Sequence, residues 1–256
     1  MYSLIACQIL VPASGRAHRE ETSVAIEDST ALVMCTPQIA PMNTASSRSF
    51  LVRYAVTWLY LAGFIIAELA FTTLSSHDQS AALGWASTSV ANLRHDPVGS
   101  LVASAFITPG IAVAWPVLIV LAVFGTNQIL GNWRTVLVCG TGHVVGTLVS
   151  EGIVAYRITH GLLPASAAQI LDVGPSYVVV SALTVVALYG SRLARIGAML
   201  GIAALVFIGH IFSGLTTLQV AAVGHAVAIM SSALLASALV WHTRRRCPGL
   251  TRQGKA

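Results

Sequence analysis

Charged side chains are scarce in this 256-residue chain. They make up 9% of it, against about 25% in an average soluble domain. Hydrophobic residues make up 55%, and the mean hydropathy is +0.78. So little charge argues against an ordinary soluble domain and predicts an integral membrane protein, for which the lipid bilayer is the first partner.

Cysteine is also sparse, and its spacing argues against a CxxC motif and against a metal site held by cysteines. The chain has no CxxC pair and no cysteine spacing typical of metal ligands; its four cysteines are Cys7, Cys35, Cys139 and Cys247. We therefore predict no metal site and no cofactor.

The formal net charge of +5 would suggest a nucleic-acid partner if the chain were soluble. Here the basic residues flank apolar runs, which is the pattern that sets membrane topology. We therefore expect no nucleic-acid partner.

Long apolar runs dominate the rest of the chain. A helix needs about 20 residues to cross a hydrocarbon core of about 30 Å. Six apolar runs follow one another, at 51–74, 109–125, 135–158, 176–190, 194–212 and 219–241. The first, third and sixth runs are long enough, whereas the second and fourth fall short. The pattern predicts an all-α fold, a polytopic six-helix transmembrane bundle with one span in each run.

The chain divides into one membrane domain with a tail at each end. Residues 1–48 mix polar, charged and small side chains and predict a disordered cytoplasmic tail. The membrane domain covers residues 49–243, and residues 244–256 form a basic cytoplasmic tail. The sequence from Met42 onward also reads as a natural start, so we expect the preceding residues to carry no function.

The arginines predict the orientation of the bundle. With the N-terminus inside, the outer side receives only Arg94 and Arg157 close to the membrane. Positive residues are enriched on the cytoplasmic side of membrane proteins. We therefore expect a plasma (inner) membrane protein with both termini in the cytoplasm, where the inner side holds Arg48, Arg53, Arg134, Arg192, Arg195 and Arg244 to Arg246.

The short fourth run places a serine inside the membrane. Residues 176–190 rise only about 22 Å as a helix, so Ser176 lies about 8 Å below the outer surface. Its approach, from Asp172 to Pro175, must then descend without being helical. Such backbone is tolerated only where it lines a wet cavity or is buried in protein.

A histidine in the sixth run lies at the same depth. His225 is six residues beyond Gln219, about 9 Å from the outer end of its helix. A serine becomes a good nucleophile when a base takes its proton, and histidine is the usual base. The amide groups that begin the fourth helix would stabilise an oxyanion. The pair predicts a Ser–His dyad, although each residue alone is more often a packing residue in a membrane helix.

Several segments of this layout resemble rhomboid intramembrane serine proteases. The chain is most similar to the divergent actinobacterial rhomboid-like proteins, over about residues 95–240. Residues 96–107 are similar to the segment that leads into the second rhomboid span. Residues 127–134 resemble the family's E-x-x-L-G-x-x-R turn. Residues 174–177 keep the first glycine and the serine of the family's GxSG motif. His225 follows Gly224 at the place of the family's sixth-span histidine.

This resemblance implies a role for each of the two candidates. Ser176 would be the nucleophile and His225 the general base, in a hydrophilic cavity that opens to the outside. The substrate would be a transmembrane helix of another membrane protein. Because the family uses a dyad, Asp172 need not be a member of a triad, but it is a possible supporting residue together with Gly174 and Tyr177.

The chain also departs from the family pattern. Tyr177 replaces the second glycine of GxSG, and Val180 replaces an aromatic residue found in many rhomboids. The second-span H-x-x-x-N pair is missing from residues 111–116. Loss of oxyanion donors typically lowers the rate by about 10²–10³. The alternative is therefore a catalytically inactive scaffold that binds transmembrane helices of client proteins; the sequence indicates no oligomeric state.

Two further polar residues in the third run have open roles. Glu151 lies near the expected depth of the cavity, where it would orient a water or His225, or pair with Arg157. His143 lies deeper, between Gly142 and Gly146, and is a possible supporting residue. The spacing of these glycines favours close helix packing instead.

Overall fold

A computed structural model describes residues 44–109 and 114–246, which contain helices and loops and no strand. The predicted all-α fold is confirmed for this part of the chain. The predicted N-terminal tail lies outside the described residues up to residue 43, and residues 44–48 begin the first helix. The C-terminal tail is described only as far as Arg246, where the last helix ends.

The helices fall into two parts of the chain. The first part contains α1 (Thr44–Arg53), α2 (Ala55–Thr72), α3 (Ser76–Ala86), α4 (Val90–His95), α5 (Pro97–Ser104), α6 (Ala114–Ile119) and α7 (Gly125–Leu130). A π-helical turn, Val120–Phe124, joins α6 to α7. The second part contains α8 (Asn132–Thr159), α9 (Ser176–Tyr189), α10 (Arg192–Phe207) and α11 (Val220–Arg246), with 3₁₀ turns at Ala165–Gln169 and Leu215–Thr217.

Within residues 44–109 and 114–246, three helices are long and apolar enough to cross a membrane. They are Ala55–Thr72, Asn132–Thr159 and Val220–Thr243, which correspond to the first, third and sixth predicted runs. The helices Ala114–Leu130 and Ser176–Tyr189 are apolar but shorter, as predicted for the second and fourth runs. That the chain has six spans remains a prediction.

The second predicted span ends later than hydropathy suggested. The helix continues through the π-turn to Leu130 and stops at Gly131, which has a φ of 79°. The polar residue Asn127 does not end it, because its amide is buried and donates to the side chains of Thr57 and Asn132. Internal hydrogen bonds allow a helix to continue past a polar residue that hydropathy reads as an end.

The fifth predicted span ends earlier than expected. The helix α10 stops at Phe207, and the chain turns through Ile208 and Gly209 to His210, which has a φ of 50°. Hydropathy does not detect this change of direction, since the residues that make the turn remain largely apolar.

The long polar connection between the first two predicted spans folds into α3, α4 and α5. Each of these short helices begins with a side chain that accepts a backbone N–H: Ser75 from Asp78, Ser89 from Asn92, and Asp96 from Gly99. Such N-caps satisfy amide groups that lack a partner in the first turn.

The helix α9 is the centre of the bundle. Every residue from Tyr177 to Val186 is buried, which agrees with a helix that is hydrophobic all round. The glycines of α8 let its neighbours approach closely: a Cβ at Gly142 would overlap Ser181 of α9, and one at Gly146 would lie 2.9 Å from the Gly224 carbonyl of α11. The predicted close packing at these two glycines is confirmed.

Candidate functional site

The first residue of α9 is Ser176, as the sequence predicted. Pro175 precedes it with a φ of −72°, and Gly174 has a φ of 135°, which favours glycine. Ser176 is partly exposed. The glycine and proline thus turn the chain into a helix with the serine at its start.

The non-helical approach to Ser176 is bound to other parts of the protein. The Asp172 amide donates to Ser87 Oγ at 2.9 Å, and the Thr88 amide donates to the Asp172 carbonyl at 2.9 Å. The Gly174 amide donates to the Ser104 carbonyl at 2.8 Å. Protein groups therefore satisfy this backbone, which is the condition for irregular structure at membrane depth.

The Asp172 side chain lies in the loop before α9 and accepts two hydroxyl groups. Tyr177 Oη donates to its two carboxylate oxygens at 3.0 and 3.2 Å, and Thr88 Oγ1 donates at 3.3 Å. Its pKa is raised above the ordinary value, because burial outweighs the hydrogen bonds that lower it. Asp172 therefore anchors the Tyr177 hydroxyl.

The ring of Tyr177 contacts the candidate base. It meets the His225 ring edge-on, with centroids 4.8 Å apart and an interplanar angle of 81°. The hydroxyl end of Tyr177 occupies the space beside Gly224, where an added Cβ would overlap it. Gly224 and Tyr177 are therefore complementary in shape.

The imidazole of His225 has no hydrogen-bond partner within the described residues. Only 4% of the residue is exposed, and both ring nitrogens are buried and unpaired. The Ser176 hydroxyl consequently forms no hydrogen bond with it in this structure. Ser176 and His225 lie at the same end of two packed helices, and Tyr177 supports the histidine from the position next to the serine.

The other histidine, His143, is bound to the α5 backbone. Its Nε2 lies 2.9 Å from the Leu101 carbonyl and 3.3 Å from Ser104 Oγ. Since a carbonyl only accepts, Nε2 carries a proton, and Nδ1 has no hydrogen-bond partner among the described residues. The ring centroid lies 6.0 Å from that of Tyr177. His143 thus borders the site without a contact that assigns it a role in chemistry.

Glu151 lies in the same part of α8, and the pairing with Arg157 that was one of its open roles is not found. Arg157 Nη1 donates instead to the Thr217 carbonyl at 3.0 Å. Glu151 is 2% exposed, and neither carboxylate oxygen has a hydrogen-bond partner among the described residues. It lines a cavity of about 230 Å³ together with Val90 and Arg94.

Sequence reasoning missed the residues that hold the site together. Ser87 and Thr88 bind the Asp172 loop, Ser104 binds Gly174 and His143, and Gly224 makes room for Tyr177. One signal was available, since the Ser87-Thr88-Ser89 run interrupts an otherwise helical connection. No cluster of three metal-ligating side chains occurs in the ranges 44–109 and 114–246.

Of three comparisons with known proteins, one gives a match. A family model described as rhomboid-like protein matches residues 49–244, which include the whole of α2 to α10 and most of α11. Searches of curated proteins and of solved structures find no match. The family match and the apolar helices identify a multi-pass membrane protein. The chain therefore belongs to the family of rhomboid-like proteins.

Proposed function

We propose that the protein is an intramembrane serine protease that cleaves transmembrane segments of other membrane proteins with Ser176 and His225. The observation that carries the proposal is the pair itself. Ser176 begins a short helix beside α11, and neither ring nitrogen of His225 has a hydrogen-bond partner among the described residues. A buried, unprotonated imidazole would be suited to accept a proton from a serine hydroxyl that comes within its reach.

The reaction begins when Ser176 Oγ attacks a peptide carbonyl and His225 takes its proton. The oxyanion of the tetrahedral intermediate is stabilised by the amides of the first turn of α9, which lack helical partners. His225 then gives the proton to the leaving amine. A water molecule hydrolyses the acyl-enzyme by the same two proton transfers and releases Ser176.

This mechanism requires the serine hydroxyl and the imidazole to meet in the substrate complex. Catalytic hydrogen bonds are often long or absent without substrate and form when it binds. The edge-on contact with Tyr177 would hold the His225 ring in place until then.

The test is labelling of the detergent-purified full-length chain by a fluorophosphonate probe. We expect covalent label on Ser176, and its loss in Ser176→Ala and in His225→Ala. Ser213→Ala is the matched control, since Ser213 is an exposed serine before the start of α11. Equal labelling of Ser176→Ala and the unmodified chain, or no label on folded protein, would contradict the proposal.

A second function, an inactive scaffold that binds client transmembrane helices, is favoured by two observations. Ser176 and His225 form no hydrogen bond, and an apolar groove of about 290 Å³ lies between the α6–α7 segment and α10. Gly197 lines this groove, and a Cβ there would meet open space. A client helix would pack against such a small-residue surface.

The scaffold predicts that client co-purification survives Ser176→Ala but is lost in Gly197→Trp, which fills the groove. Gly140→Trp is the matched control, because Gly140 also faces open space but lines a different cavity. A client that is captured only by Ser176→Ala, and is shortened by the unmodified chain, would instead identify a protease substrate.

A further inference from the structure

A cavity of about 440 Å³ lies where α8 ends and α11 begins. Arg157 contributes a cation to it, and Thr217 and Gln219 contribute polar groups. Among the described residues, the rest of the cavity wall is apolar: Val154, Leu163, Ile170, Leu171, Leu218, Val220 and Ala221. A cation at one side of an apolar cavity is suited to an amphipathic ligand with a negative group.

The charge of Arg157 is not neutralised within the cavity. Its Nη1 donates to the Thr217 carbonyl, which is an uncharged acceptor. No carboxylate occurs among the described residues that line the cavity. A guanidinium has five N–H donors, so the remaining donors are available to a phosphate, which arginine binds in bidentate geometry.

The apolar part of the cavity is open to a hydrocarbon chain. Leu171 is 57% exposed and Leu218 is 44% exposed. Leu218 is held in the left-handed region, with a φ of 58°, where a branched side chain is strained. Strained backbone persists where the surrounding structure enforces it and often marks a binding site. Gly214 helps to enforce this turn, since it accepts the Gln219 amide at 3.0 Å.

The position of the cation indicates the source of the ligand. Arg157 is in the last turn of α8, which ends at Thr159. The end of a membrane-spanning helix lies at the level of the lipid headgroups, where arginine side chains are common. We infer that this cavity binds one membrane phospholipid, with its phosphodiester on Arg157 and an acyl chain against the apolar wall. The site is separate from Ser176 and does not depend on the proposed protease activity.

The test counts bound lipid on the full-length chain by native mass spectrometry in a neutral detergent. The probes are dioleoyl-phosphatidylglycerol, dioleoylglycerol and inorganic phosphate. The inference expects one phosphatidylglycerol to be retained, because only that probe has both the phosphodiester and the acyl chains. Equal retention of dioleoylglycerol would reduce the site to an apolar groove, and equal retention of phosphate would reduce it to an anion site; either result overturns the inference.

Two variants separate the parts of the site. Arg157→Gln should weaken phosphatidylglycerol binding about tenfold or more, which is the effect of losing a charge-assisted hydrogen bond. Ala221→Trp should weaken it by filling the apolar part of the cavity while Arg157 remains. Arg94→Gln is the matched control, since Arg94 lines a different cavity, and it should leave affinity within about twofold.

The result that overturns the inference is unchanged affinity in both site variants, or an equal loss in Arg94→Gln. If Arg157→Gln does not fold, Ala221→Trp and the three probes still decide the question. Arg157→Lys should keep part of the affinity, because it retains the charge but not the bidentate geometry.

Discussion

The residue after the candidate nucleophile, Tyr177, contacts both the loop before α9 and the candidate base. Its hydroxyl donates to Asp172 and its ring packs edge-on against His225. In the family pattern this position is a glycine, so the sequence alone suggested an obstruction beside Ser176. The structure shows that the side chain points towards Gly224 and is accommodated there. Tyr177 therefore belongs to the packing that holds the His225 ring in place.

Because the buried carboxyl group of Asp172 anchors Tyr177, the stability of the folded protein should depend on pH. Burial raises the pKa of Asp172 in the folded protein, so its contribution to stability is present below the unfolded pKa and is lost as pH rises through the folded pKa. Asp172→Asn stays neutral and keeps an acceptor for Tyr177. We expect its melting temperature relative to the unmodified chain to increase as the pH rises above about 4, the ordinary aspartate pKa.

The control for this measurement is Asp78→Asn, at an exposed aspartate of α3. A difference between Asp172→Asn and the unmodified chain that stays constant with pH would contradict the prediction. Thermal unfolding in detergent, followed by tryptophan fluorescence, measures both variants.

Among the helices, the packing of α8, α9 and α11 depends on glycines at their contacts. Gly146 of α8 faces the Gly224 carbonyl of α11, while Gly224 also faces the Tyr177 hydroxyl of α9. Three helices therefore meet at one place, where the side chain of Tyr177 fills the space beside Gly224. This close approach keeps His225 buried beside α9, and it explains why glycine precedes the histidine.

The contact between Gly224 and Tyr177 predicts that Gly224→Ala and Gly140→Ala have different effects on the free energy of unfolding. Gly224→Ala should lower the free energy of unfolding by about 1–3 kcal/mol, because the added methyl overlaps Tyr177 in a packed interior. Gly140→Ala, at a helical glycine whose Cβ would meet open space, should instead be neutral or stabilising by up to about 1 kcal/mol. Denaturant unfolding in mixed micelles measures both.

A double variant tests the proposed contact directly. In a Tyr177→Ala background, the overlap is absent, so Gly224→Ala should have little further effect. Strictly additive losses in the double variant would show that Gly224 is needed for a reason other than Tyr177.

For the molecule as a whole, the distribution of arginines still predicts which end faces the cytoplasm. Charges such as Arg134 and Arg192 lie at the end of the bundle opposite to Ser176, next to the starts of α8 and α10. If positive residues set the orientation, Ser176, the cavity at Arg157 and the α3–α5 connection all face the outside.

A topology reporter checks this orientation. An alkaline phosphatase fusion after Arg246 should be inactive, because that enzyme requires an oxidising compartment, and a fluorescent protein fused there should fold. Insertion of the phosphatase in the α2–α3 connection should give the opposite result. An active phosphatase at the C-terminal fusion would reverse the orientation and place Ser176 on the cytoplasmic side.

Hydropathy and local backbone chemistry were sufficient to predict the membrane class, the three long helices and the start of α9 at Ser176. These are properties of neighbouring residues, since apolar runs and a Gly-Pro turn act over a few positions. The environment of His225 was decided by the tertiary structure, because it depends on residues far apart in the chain. Ser87 and Asp172 are 85 positions apart, and no local pattern predicts that they meet; the same holds for Tyr177 with Gly224 and for Arg157 with Thr217.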